Sequence, residues 1–431
     1  MNVSSMASAG TSAARGKSLA PVVLRYGLAA AGPICISLAH FTAAILFLHG
    51  FARADFGLFS FALVLVPFCL SLSGALIGAP AAIGVRRGAM QEGELATYLT
   101  ANLLLGAVAA SAVFLLMLLS RAAPGLALVF GFYAGMMTLR WFARTLAYAQ
   151  GPAARVLASD LVYGILLLAG LFALRAAHAL TPMHAAGLLL AASTMGLAAF
   201  GRAYLGAQIR FAGMGALLRY RAVWIDLARW SAAGVLLTEM TVNAHAYLVT
   251  FFCGPAAFAP LAAGALFIRP VQLVLAAIPD RERPIMARQL GRGDAAGARR
   301  SVNHFRMAAG AVWIATVTAS TALLLWAPQV VLRKGYDPAQ ALVVLGFFAA
   351  ITAARILRTP ESVLLQSAGQ FRALASASLW SSLVSLAATF VLLLAAGPVF
   401  SLAGILAGEL VITSRVLTLS QSWLRQACLA S

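Results

Sequence analysis

Apolar stretches of about twenty residues recur twelve times along the chain, each long enough to cross the roughly 30 Å hydrocarbon core of a bilayer as a helix. The pattern predicts helices over 26–49, 58–78, 98–120, 125–148, 156–174 and 185–205, then 230–253, 256–278, 306–327, 340–357, 373–395 and 399–417. The longest polar gap, Pro279 to Arg306, reads as an amphipathic linker. The gap from Arg202 to Arg229 mixes Leu217, Leu218, Trp224 and Leu227 with arginines. That mixture fits an interfacial helix along one leaflet and equally a solvated basic connector. Met1 to Ala20 is rich in Ser, Ala and Gly, and the apolar run after Arg25 exceeds a signal-peptide core, so it is expected to stay as the first membrane helix.

Composition agrees with a bilayer as the main solvent: 62% of residues are hydrophobic, 10% are charged, and mean hydropathy is +0.91. The net charge of +19 does not gather with aromatic residues on one soluble face, which argues against nucleic acid as a partner. Of the 31 basic residues, 25 fall at the two termini, in the even-numbered gaps or toward the segment ends that border those gaps, against 5 in the odd-numbered gaps. By the positive-inside rule both termini are cytoplasmic. Arg269 alone is left in the middle of an apolar segment. Cys35, Cys69, Cys253 and Cys428 are scattered without a C-x-x-C pair or His spacing suited to zinc, so neither a disulfide framework nor a metal site is expected.

The two halves of the pattern match in order. Arg25-Tyr26 with Ala39-His40 is echoed by Arg229-Trp230 with Ala244-His245. Gly151 and the run from Arg155 to Ser159 are echoed by Gly369 and the run from Arg372 to Ser376. Six spans return the chain to its starting side, so the repeats are expected to be parallel, with lobes over 1–222 and 223–431.

No nucleotide or hydrolytic motif survives inspection. Lys17 and Lys334 are the only lysines, which removes a Walker A lysine, and Gly291, Gly293 and Gly297 lack the spacing and preceding strand of a dinucleotide loop. No cofactor is expected, and enzymatic activity is not. Ionisable residues inside spans cost about 2.5–3.5 kcal/mol on insertion scales and face a bundle interior or a wet cavity. Arg269 and Glu239 fall at similar depth on neighbouring helices and are expected to meet, as a structural ion pair or as a cavity cation with its counter-ion. Pro270 predicts a bend beside Arg269. Asn243 shares the face of Glu239 and is placed to bond it or a sugar hydroxyl. His40 and His245 occupy matching positions, as interhelical hydrogen-bonding groups or as proton relays. Arg25 reads as a topology anchor or a contact at the inner mouth. Asp160 and Glu409 are expected to pair with arginines.

The outer turn Phe51-Ala-Arg-Ala-Asp-Phe-Gly-Leu-Phe-Ser60, together with Gly151 and the segment after it, resembles the polysaccharide flippases of the multidrug/oligosaccharidyl-lipid/polysaccharide exporter (MOP) superfamily. The resemblance implies an all-α polytopic membrane protein, with 12 transmembrane helices in two parallel six-helix repeats forming a V-shaped central cavity lined chiefly by helices one, two, seven and eight. It implies a bacterial inner-membrane flippase that moves undecaprenyl-diphosphate-linked oligosaccharide by alternating access, with Arg269 as a cavity contact for the anionic substrate; Asn243 and Arg25 are the further substrate-binding candidates, from their positions in the sequence. Glu239, His40 and His245 are the ion-coupling candidates. The implied partners are the lipid-linked substrate, membrane lipids, and polymerase or export machinery. An ion-coupled multidrug antiporter and a lipid-linked peptidoglycan precursor flippase are the alternatives within the superfamily. Gly84-Val-Arg86-Arg87-Gly88 lacks the form expected of a major-facilitator transporter, and outer gaps of about ten to fifteen residues are too short for the site of a membrane glycosyltransferase.

Overall fold

The structure is a computed structural model that describes residues 19–87, 92–151, 153–332 and 335–429. Arg15, Lys17, Arg333 and Lys334 lie outside the described residues, as do the side chains of Arg25, Arg86, Arg87 and Cys428.

All regular structure among the described residues is helical. The first group comprises α1 (Leu19–Gly50), α2 (Arg53–Ser73), α3 (Ala79–Arg87), α4 (Glu92–Leu119), α5 (Pro124–Gln150), α6 (Ala153–Ala176), α7 (Pro182–Ala198) and α8 (Arg202–Ile209). There follow α9 (Met214–Val223), α10 (Arg229–Cys253), α11 (Pro255–Phe267), α12 (Arg269–Gly291), α13 (Ala295–Trp326), α14 (Pro328–Val331), α15 (Pro338–Ser367), α16 (Phe371–Ala396) and α17 (Ser401–Leu429). Single π-helical turns at Gly74–Gly78 and Trp224–Ala228 join α2 to α3 and α9 to α10. The two turns pack against each other, and Tyr220 on α9 donates its hydroxyl to the Leu76 carbonyl at 2.6 Å.

Among the described residues eight helices are long and apolar enough to cross a bilayer, and ten if each of two bent pairs counts as one span. The predicted segment 230–253 falls short of that measure because α10 carries Glu239, Asn243 and His245 in its middle. Large apolar side chains cover the outside, with Trp326 82% exposed, as expected where acyl chains replace water.

Helix ends follow the turn chemistry of the sequence. Asp337 caps α15 by accepting from the Ala339 and Gln340 N–H groups, Asp294 caps α13 by accepting from Gly297 at 2.7 Å, and prolines open α5, α7, α11 and α15. Gly151 and Gly369 end α5 and follow α15 at φ of +111° and +77°, a backbone conformation that only glycine adopts without strain.

Two expectations change. Pro279 to Arg306 is not a linker: α12 runs on to Gly291 and α13 starts at Ala295, so only Arg292 to Asp294 separate them. Pro279 and Pro284 are tolerated within α12. The predicted segment 185–205 breaks at Gly201, where α8 turns by 108° from α7.

Within the bundle α1 packs on α6, α5 on α4 and α7, and α6 on α7, while α15, α16 and α17 pack with one another and α16 receives α10. Elsewhere α2 packs broadly against α11. There Gly57 approaches Pro255 so closely that a Cβ would collide with the Pro255 carbonyl oxygen. Arg53 donates to the Ala256 carbonyl at 3.1 Å and His49 to the Val330 carbonyl at 3.0 Å. Just inside, Phe61 meets Tyr247, Phe251 and Phe258 edge-on, closing this end of the bundle.

Candidate functional site: a cationic cavity between the helices

Behind the aromatic seal lies a cavity of about 330 Å³, bounded by α1, α2, α5, α10, α11, α12, α15 and α17. The resemblance implied helices one, two, seven and eight as the wall. They are present as α1, α2, α10 and α11–α12, and α5, α15 and α17 complete it. Among the described residues the charged side chains in the wall are Arg140, Arg269 and Arg355, and no aspartate or glutamate lines it. His40, Asn243, His245 and Gln272 supply neutral polar groups, and Trp141, Tyr133 and Phe348 supply aromatic surface.

Arg269 owes its place to the local sequence. The chain bends by 60° between α11 and α12, Ile268 leaves helical geometry at φ −95°, ψ 2°, and Arg269-Pro270 opens the new helix. Proline has no N–H to donate and its fixed φ suits a first turn, so the bend forms where the sequence placed it. The guanidinium therefore sits at the positive end of α12, facing the cavity, with no hydrogen-bond or ion-pair partner among the described residues.

Glu239 does not meet Arg269. Its carboxylate accepts from Asn243 Nδ2 at 3.1 Å and from the Tyr247 hydroxyl at 2.6 Å, all three on one face of α10, and it is absent from the cavity wall. Equal depth put the two charges on adjacent helices but could not fix the rotation of α10, which turns Glu239 toward the side of Cys69 on α2. Asn243 alone of that trio reaches the cavity, so the expected Asn243–Glu239 bond forms and the expected ion pair does not.

The two matching histidines both line the cavity, in different states. His40 Nε2 is hydrogen-bonded to Tyr163 Oη at 2.9 Å, and Tyr163 to Tyr133 Oη at 3.1 Å, which is the interhelical role expected of it. His245 packs between Phe258 and Phe348, and its Nδ1 is buried without a partner. Arg25 belongs to α1, but its side chain lies outside the described residues.

Arg140 and Arg355 are the wall residues that charge counting missed, because both were assigned to gaps. Each belongs to a buried cluster in which one carboxylate serves two arginines. Asp160 on α6 receives Arg140 at 2.6 Å and Arg144 at 2.8 Å. Glu409 on α17 receives Arg355 at 2.7 Å and Arg358 at 2.9 Å. The signal was present: Arg140 and Arg144 fall inside the predicted segment 125–148, Arg355 inside 340–357, and the acids inside spans required partners.

No family model and no curated protein sequence matches the chain significantly. Solved structures do. An inward-facing multidrug-resistance MATE-family transporter of the MOP superfamily superposes with a TM-score of 0.69 at 13% identity, covering 92% of this chain and 96% of that one. The lipid II flippase MurJ in an inward closed conformation gives 0.70 at 10% identity, covering 91% and 87%. A MATE-family transporter in an outward-facing conformation gives 0.56 at 13% identity, covering 94% and 97%. The chain therefore has the fold of the MOP-superfamily transporters.

Proposed function

We propose that the chain is a flippase of the bacterial inner membrane that moves an undecaprenyl-diphosphate-linked oligosaccharide from the inner to the outer leaflet. The observation that carries this reading is the cavity wall, with three arginines and no carboxylate among the described residues. A cationic drug would find repulsion there, whereas a diphosphate meets guanidinium groups able to pair it bidentately in a medium of low dielectric. Asn243, His245 and Gln272, with Trp141, offer the hydrogen bonds and flat apolar surface that a sugar takes. The MOP-type fold and its likeness to MurJ and MATE structures support the reading.

In this reading the chain crosses the membrane twelve times, both termini are cytoplasmic, the lobes are 1–222 and 223–431, and the end sealed at Gly57 and Pro255 faces outward. Alternating access then opens one end while the other closes, and the lipid tail stays in the bilayer. A strain lacking the chain is expected to lose surface polymer and to accumulate lipid-linked oligosaccharide on the inner leaflet. Arg269→Ala is expected to restore neither. Full restoration by that variant would remove Arg269 from substrate binding, and unchanged polymer with new drug sensitivity would favour the antiporter. Accumulation of peptidoglycan precursor instead would give the chain the substrate class named for MurJ.

Glu239 is the coupling acid of this reading, because neutral partners leave its charge without a buried cation. In vesicles, Glu239→Gln is expected to abolish stimulation of transport by a proton gradient. Retained stimulation would leave the Glu239–Asn243–Tyr247 group a helix-packing element.

A further inference from the structure

The two clusters of one carboxylate with two arginines are not equivalent. In the Asp160 cluster, Arg140 is fully buried; it gives Nε to Ser159 Oγ at 3.0 Å and Nη2 to Asp160 and the Ser159 carbonyl. In the Glu409 cluster the carboxylate is fully buried but takes only the two Nε groups, of Arg355 at 2.7 Å and Arg358 at 2.9 Å. The terminal nitrogens of Arg355 have no partner among the described residues and are not buried. Arg355 lines the cavity, while Arg358 and Glu409 do not.

We propose that Arg355 is a second anion ligand of the cavity, held in place by Glu409 and Arg358, and that Arg269 and Arg355 together take the two phosphates of one diphosphate headgroup. The proposal rests on the flippase reading. Charge supports it: two guanidiniums on one carboxylate keep a net positive charge, and of the two only Arg355 lines the cavity, where its unpartnered terminal nitrogens face a ligand. Level supports it as well. α11 and α15 start at the same end of the bundle, since Arg53 touches both Ala256 and the ring of Tyr336 beside them. Arg269 stands fourteen residues beyond Pro255 and Arg355 seventeen beyond Pro338. At about 1.5 Å per residue these are depths of about 21 Å and about 26 Å, on helices that pack together. His245, with its buried and unpartnered Nδ1, stands within the field of Arg355, so a third group beside the pair is also left for a ligand to satisfy.

Anchoring matters to the affinity. A guanidinium pinned through Nε has lost its rotamer freedom before the ligand arrives, so its Nη1–Nη2 edge meets a phosphate already oriented. Glu409 and Arg358 are positioning residues in this arrangement, without contact to the ligand.

The test uses the purified full chain in nanodiscs of zwitterionic lipid, with a polyprenyl diphosphate and the matching monophosphate as probes. The wild type is expected to bind the diphosphate at least about 10-fold more tightly, since one added charge-assisted pair carries that much. Arg355→Gln is expected to erase this preference while leaving monophosphate binding near the wild-type level. The double variant R355Q/E409Q removes the acid along with its partner and guards against misfolding; it is expected to elute as the wild type and show the same loss. R355K, which keeps the charge without the fork, is expected to lose most of the preference. Any of these variants folding with the diphosphate preference intact would overturn the role of Arg355 and leave the flippase reading standing. A wild-type chain that binds neither lipid would overturn both.

Discussion

Asp160→Ala is expected to cost about 3–5 kcal/mol of stability, the range for removing one partner from a buried ion pair, and to leave little folded protein after detergent extraction. Asp160 is wholly buried, and its two oxygens receive Arg140 at 2.6 Å and Arg144 at 2.8 Å. Without it two neighbouring guanidiniums repel each other inside the bundle, where water cannot stabilise either. The damage would spread, because the cluster ties four helices. Arg140 on α5 bonds Ser159 on α6, Ser159 donates to the Gly196 carbonyl on α7 at 2.7 Å, and Gly32 on α1 leaves no room for a Cβ beside the Asp160 carboxylate. The measurement is a melting curve of the fluorescently tagged protein in mild detergent. Asp160→Asn should lie between the wild type and Asp160→Ala, since an amide oxygen still accepts one guanidinium but carries no charge. Exchanging all three charged members together for apolar residues of similar volume should recover most of the loss, as well-packed apolar groups commonly replace buried ion networks without penalty. Equal melting of Asp160→Ala and wild type would mean that water or a lipid phosphate already reaches these arginines.

The helices were legible in the sequence because bilayer-length apolar runs obey a single constraint, that every backbone polar group be satisfied internally. The bend at Pro270 was legible for a similar reason, a missing N–H. Rotation about a helix axis was not legible. Glu239 and Arg269 share a depth on adjacent helices, yet Glu239 turns to Tyr247 and Asn243, because three side chains on one helix face bond one another before reaching across. Charge counting hid Arg140 and Arg355 for a related reason. A basic residue near a helix end looks the same in sequence whether it anchors topology or turns inward to an acid on another helix, and only tertiary packing decides. The break at Gly201 and the continuous helix through Pro279 and Pro284 show the same limit. Breakers mark where a helix is able to bend, and the neighbours determine whether it does.

Gly57→Val is expected to hold the protein open at the end that is sealed here. Gly57 lies in the first turns of α2, buried against Pro255 at the start of α11, and any Cβ there meets the Pro255 carbonyl oxygen. Pro255 has no easy retreat. It follows Gly254, held at φ +86°, and its own ring fixes the backbone on the other side. Relief therefore requires α2 and α11 to separate as bodies. Overpacking of this kind costs about 1–3 kcal/mol, and each 1.4 kcal/mol shifts a two-conformer ratio about tenfold. In the proposed cycle α2 and α11 part when this end opens, so the shift falls on the sealed conformer. Ser60, one turn along α2 and in the cavity wall, is the reporter site: in a background without native cysteines, Ser60→Cys should react slowly with an impermeant thiol reagent applied outside intact cells. Adding Gly57→Val should raise that rate about tenfold or more while export falls, since a transporter held at one end of its cycle cannot reload. Gly57→Ala should give the same direction at smaller size. Unchanged labelling together with normal export would show that α2 and α11 part without resistance at this contact, and that the seal is made by the Phe61, Tyr247, Phe251 and Phe258 rings instead.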